Sequence, residues 1–187
     1  MTSTIVRASL ALLLAGCATP TLQGRAALTG GRYDEAAQRF EEALAEEPGR
    51  VADLVGLGIA RYKLGALDEA QRALAEAVAQ DPSAPTPHLY LALIAIRRGE
   101  DAASDEHLGR CLQLGAPPRL AAQLDRTRRA LRGPLTPAMR EYMAASLEDG
   151  YQWAGEVDSA LRAARDAELR WLAAERIYLL PRACRCR

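Results

Sequence analysis

The 187-residue chain has one Phe, one Lys, two His and four Cys. Val and Ile are sparse, and no segment shows the strict apolar–polar alternation of a half-buried strand, which argues against a sheet. His88 and His107 fall in no Ser-His-Asp or Cys-His arrangement with sequence support as a nucleophile and its base. No glycine-rich phosphate loop is present. No apolar run reaches the ~20 residues that a membrane-spanning helix needs. The formal net charge is zero, so nothing global points to nucleic acid. These absences predict a protein without catalytic centre, cofactor, metal or small-molecule substrate.

Ala, Leu, Arg and Glu dominate instead, a composition that favours helix in nearly every window. Charge is unevenly spread. Residues 17–118 hold 10 Lys+Arg against 15 Asp+Glu, and residues 119–187 hold 13 Arg against 9 acids. The acidic front and basic rear mark two faces with different neighbours, or a solvated surface with no such division.

The first 16 residues read as a targeting segment. Arg7 is their only charge, and Ala8 to Ala15 form a short Leu-rich run of signal-peptide size. The run ends in Leu14-Ala15-Gly16-Cys17, which resembles the lipobox of bacterial lipoproteins. The resemblance implies that Cys17 is lipidated (diacylglyceryl on the thiol, a further acyl chain such as palmitate on the new amine) after cleavage at Gly16. Such chains hold a protein at a membrane at roughly 0.8 kcal/mol per buried methylene. Ala18, where Asp would mark inner-membrane retention, implies the outer membrane with the chain facing the periplasm. Without the lipid, the same segment serves as an ordinary secretion signal.

A 34-residue period organises the rest. From Val51 to Ala84 it contains Leu57-Gly58, Tyr62, Gly65, Leu67-Asp68-Glu69-Ala70, Leu74, Ala77 and Asp81-Pro82. This resembles a tetratricopeptide repeat, a pair of antiparallel helices packed through small residues. Shifting by 34 places Gly24, Gly31, Ala36, Phe40 and Pro48 of residues 17–50 on the same marks, and Gly99, Leu108 and Cys111 of residues 85–118. A degenerate unit follows at 119–152, where Pro134 and Pro137 lengthen the turn. The expected fold is an all-α, tetratricopeptide-type solenoid of helical hairpins. After Gly150, the stripe Trp153, Val157, Leu161, Ala164, Trp171 and Tyr178 predicts one long capping helix, about 25 residues from Glu156 to Leu180, with a tail to residue 187.

The resemblance also implies a concave groove lined by the first helix of each pair. Its residues are Val55, Ile59, Tyr62 and Lys63, then Leu89, Leu93, Ile96 and Arg97. A floor this apolar needs cover: a partner's helix or peptide, or the chain's own terminal helix. The expected function is that of a lipid-anchored scaffold binding a protein partner of the cell envelope, with pilotins as an architectural likeness. A structural lipoprotein between outer membrane and cell wall, or the docking subunit of an envelope enzyme, is the alternative.

Smaller features each have two readings. His107 and Cys111, one turn apart, suit two metal ligands or simple packing. Cys184 and Cys186 suit a soft metal or an exposed tail, and one could pair with Cys111. Arg128, Arg129 and Arg132 form a solvated face or bind an anionic surface. Trp153 and Trp171, 18 residues apart on one helix face, belong to the core or to an exposed stripe.

Overall fold

The computed structural model describes residues 19–179, in which every regular element is helical. Cys17, Cys184 and Cys186 lie outside the described residues. The helices are α1 Pro20–Thr29, α2 Tyr33–Glu46, α3 Val51–Lys63, α4 Leu67–Gln80, α5 Pro85–Arg98, α6 Asp101–Gln113, α7 Pro118–Ala130 and α8 Pro137–Leu179. Successive pairs form the hairpins α1–α2, α3–α4 and α5–α6, and these stack in chain order.

Local chemistry explains where each helix starts and turns. Pro20 opens α1 rather than breaking it, because the first turn has no use for its missing N–H, and the Thr19 hydroxyl accepts from the Leu22 amide at 3.4 Å. The hairpin turns pass through Gly65 and Gly99 at φ +77° and +76°, a left-handed conformation that glycine adopts without strain. Acidic residues at the starts of α2 and α4 suit the positive ends of those helices.

Small residues let the hairpins close. The only Phe, Phe40, is buried between α1 and α3, where a Cβ on Gly24 would lie 2.9 Å from its ring and one on Gly56 would come closer still. Ala36 and Ala70 are fully buried. The central helix is α5. Every side chain from Pro87 to Ile96 is buried, because α4, α6 and α8 all pack around it.

The terminal helix departs from the sequence expectation. Gly150 was to separate the fourth hairpin from a 25-residue cap, yet one 43-residue helix runs from Pro137 to Leu179. A glycine inside a helix costs only about 1 kcal/mol relative to Ala and need not end it. The bare Cα also admits a neighbour. Gln123 of α7 lies against Gly150 and donates through Nε2 to the Ser146 carbonyl at 2.6 Å and to its hydroxyl at 3.1 Å. The break comes earlier, between α7 and α8, where Pro134 and Pro137 stand. There the Thr136 hydroxyl accepts from the Met139 amide at 3.3 Å.

Candidate functional site: the concave face

The first helices of the hairpins, α1, α3 and α5, line the concave face, and α8 crosses it. From Arg140 to Tyr151, α8 lies on α5 with Ala144 and Leu147 fully buried among the core side chains. The expected groove floor is therefore largely covered by the chain itself. Tyr62, Leu89, Leu93 and Ile96 are buried, while Val55, Ile59, Lys63 and Arg97 are only partly so. The cover is the early part of α8 rather than the segment after Gln152, because the apolar stripe of Ala144, Leu147 and Tyr151 continues through Gly150.

Charged and polar contacts set the position of α8. Arg97 reaches Glu141 at 2.7 Å while its guanidinium sits 4.3 Å above the Tyr62 ring. Glu148, buried despite its charge, receives Lys63 Nζ at 2.9 Å and the Tyr90 hydroxyl at 3.0 Å. Burial first, then the Glu148 charge, push the Tyr90 phenol well above its ordinary range, so it stays a donor. The Tyr62 and Tyr90 rings meet edge to face at 5.3 Å. Tyr151 and Thr86 share a hydroxyl hydrogen bond, and Arg140 forks onto Asp101.

These contacts follow a double register. Arg97 and Lys63 are 34 residues apart, one repeat, and end successive first helices. Glu141 and Glu148 are seven apart, two turns of α8. Each repeat descended on the array therefore matches two turns of α8. The next step pairs Thr29 with Gly155, and neither residue is charged. There the concave face opens into a cleft of about 640 Å³, walled by Leu28, Thr29, Tyr33 and Ile59 on one side and by Gln152, Gly155, Glu156 and Ser159 of α8 on the other. Arg25 stands on the rim, and Lys63 and Tyr90 close the end.

Among the described residues, α8 beyond the cleft stands clear of the other helices. Every residue from 159 to 171 is exposed, Leu161, Leu169 and Trp171 included. Both Trp side chains lie outside the core. Trp153 is capped by Arg119, 4.7 Å from its ring, and Trp171 is bare.

The remaining sequence candidates separate. Cys111 is buried and its thiol, which donates weakly to the Pro85 carbonyl at 3.6 Å, is pushed up to about 12 by burial. His107 turns to His88 instead, Nδ1 to Nδ1 at 3.2 Å. Among the described residues no three His, Cys, Asp or Glu side chains gather as metal ligands, and no helix is long and apolar enough to cross a membrane. Arg128 forks onto Asp105 at 2.8 and 2.9 Å, whereas Arg129 and Arg132 are exposed.

Two buried acids were missed by sequence reasoning. Asp53 accepts from the Thr21 hydroxyl at 3.1 Å and ties α3 to α1. Glu148 had a visible signal: a single acid inside the apolar stripe of Ala144, Leu147 and Tyr151.

Residues 27–96 match the tetratricopeptide repeat family. No curated protein matches the chain. Among solved structures, the chain is similar to the Yersinia enterocolitica type III secretion chaperone SycD in complex with a peptide of the translocator YopD. That match has a TM-score of 0.57 and 19% identity, over 60% of this chain and 89% of that one. PcrH in complex with the chaperone-binding region of PopD gives 0.56 and 21%, over 63% and 95%. The MamA protein gives 0.54 and 19%, over 82% and 86%. At these identities the likeness establishes the fold, a tetratricopeptide-type α-solenoid.

Proposed function

We propose that this tetratricopeptide-type array is an adaptor that takes a segment of a protein partner into the cleft beside α1, while Cys17 holds the array at the outer membrane on its periplasmic side, in the service of an envelope complex. The observation that carries the reading is the open cleft itself. Where the first repeat should meet α8, Thr29 and Gly155 replace the ion pair, and Leu28, Tyr33 and Ile59 remain accessible as an apolar floor with a cationic rim at Arg25. Solvent-facing apolar walls that converge in this way favour an occupant with apolar side chains and a polar edge. SycD and PcrH, which share the fold, are seen with peptides of YopD and PopD respectively. The lipid anchor rests on Leu14-Ala15-Gly16-Cys17, in sequence only three residues ahead of α1.

A photo-crosslinking amino acid at Ile59, inside the cleft, and another at Glu76, lining the separate depression between α2, α3 and α4, test the reading in living cells. A discrete adduct from Ile59 alone is the expected result. Equal labelling from both positions, or none from either, overturns the cleft as the binding site. Fatty-acid labelling that survives Cys17→Ser overturns the anchor. The two arms fail independently.

A further inference from the structure

Opposite α8, α5 carries a second polar contact that partner binding does not use. Thr86, Tyr90, Leu93 and Arg97 share the face of α5 under α8, and His88 falls on the far side. There it meets His107 of α6, ring centroids 5.4 Å apart and planes tilted by 40°. The hydrogen-bond roles are fixed by chemistry. His88 Nε2 lies 3.3 Å from the Pro82 carbonyl, which can only accept, so Nε2 carries the proton. A neutral imidazole has one N–H, so His88 Nδ1 is bare and accepts. The atom 3.2 Å away, His107 Nδ1, must therefore donate. For two neutral rings these contacts require His88 as the Nε2–H tautomer and His107 as the Nδ1–H tautomer.

We propose that this pair is a proton-sensing joint that locks α5 to α6 and to the turn between α4 and α5 at neutral pH and loosens in acid. One added proton leaves three N–H groups on four ring nitrogens, so one Nδ1 still accepts from the other and the bond stays in place. With a second, no ring nitrogen is left to accept, and two N–H groups stand face to face. The surroundings oppose charge on His107. Burial, then the proximity of His88, hold His107 below its ordinary pKa of 6.5 against the opposite pull of Glu106. On α6, Asp105 is already committed to Arg128 of α7, and Arg110 adds positive charge to the same wall. The α4 contribution to that wall is the uncharged Val78, and Asp81 of the following turn is bonded to Ser83. Cys111 stays a neutral thiol. With the folded value below the unfolded one, the unfolded chain binds more protons under pH 6.5, so the stability supplied by the joint is present at neutral pH and is lost as pH falls below 6.5. The joint sits on the central helix, the same helix that seats α8.

Long-range proton–nitrogen correlation of the imidazole rings in the full chain tests the assignment at pH 7.5. His107 is expected as the Nδ1–H tautomer, the minor form of free histidine, and His88 as Nε2–H. His107 found as Nε2–H overturns the proposal, whatever the variants do. Thermal midpoints at pH 7.5 and 5.5 give the second reading. The native chain should lose roughly 3 °C or more between them, and the double variant His88→Gln, His107→Gln should lose less than half as much. An equal loss in the double variant overturns the joint.

Discussion

The two halves of α8 have one backbone state and opposite surroundings. From 140 to 151 the helix is seated on α5, with an apolar stripe, a buried Glu148 and an ion pair to each repeat it crosses. From 159 to 171 it is bare, although Leu161, Leu169 and Trp171 are no less apolar than the residues that dock. Helix formation needs only good formers and the absence of a strong breaker, so it continues at any depth of burial. Docking needs a surface in register. The match of seven residues to one repeat ends where Thr29 faces Gly155, and there the helix parts from the array.

Truncation gives the largest contrast between the halves. A chain ending at Thr136 loses the cover of Leu89, Tyr90 and Leu93 and should aggregate or bind a hydrophobic dye strongly. A chain ending at Val157 should stay soluble with a thermal midpoint close to that of the full chain. Equal behaviour of the two truncations breaks the comparison.

Single side chains repeat the contrast at smaller scale. Leu147→Ala should cost about 2–4 kcal/mol, because it leaves a cavity in a packed core, and Leu161→Ala less than about 0.5 kcal/mol. Chemical denaturation of both variants reads the difference. Tyr62→Glu would place a charge in the core and is a stability variant, not a clean test of binding.

A third rung can be built. A Cβ on Gly155 would meet nothing within 4 Å, and Thr29 lines the opposite wall. Thr29→Lys with Gly155→Glu should draw α8 onto α1 and add about 1–2 kcal/mol, part from the ion pair and part from replacing a helical glycine. The same variant should abolish the Ile59 adduct by closing the cleft. Undiminished adduct formation in a stabilised variant would show that the contact at Ile59 does not need the open cleft.

The smallest expected effect is at the start of the docked half. Arg140→Gln frees Asp101, whose carboxyl the Arg140 hydrogen bond holds below its ordinary 3.8. The pair is partly exposed, so the loss should stay under about 1 kcal/mol. A carboxylate depressed in the folded state lends stability above the unfolded value and gives it up as pH falls through the folded one. The difference between native and variant midpoints should therefore be full at pH 6 and shrink below about pH 4.

Much of the array was legible because its signals are local. Gly65 and Gly99 turn the hairpins, Gly58 lies against Leu74 of the same hairpin, and Ala70 is fully buried. The groove was harder to read. Its apolar floor at Tyr62, Leu89, Leu93 and Ile96 was visible, but what covers it depends on contacts from 44 residues apart (Arg97 to Glu141) to 85 (Lys63 to Glu148), between α8 and helices that precede it. Gly150 also read as a boundary, since a glycine at a helix end and one under a neighbour's Gln look alike in sequence. Glu148 was passed over for the same reason: an acid in a stripe shows its meaning only when Lys63 and Tyr90 arrive beside it.

The sequence by itself determined the helices, the 34-residue period and the close packing within each hairpin, since propensity, turn conformation and small-residue contacts all act over short stretches of chain. Only the tertiary structure decided that α8 fills the second and third repeats and leaves the first open. That outcome depends on the register of two different periods, seven residues along α8 and 34 along the array, and the register exists only once the two are packed together.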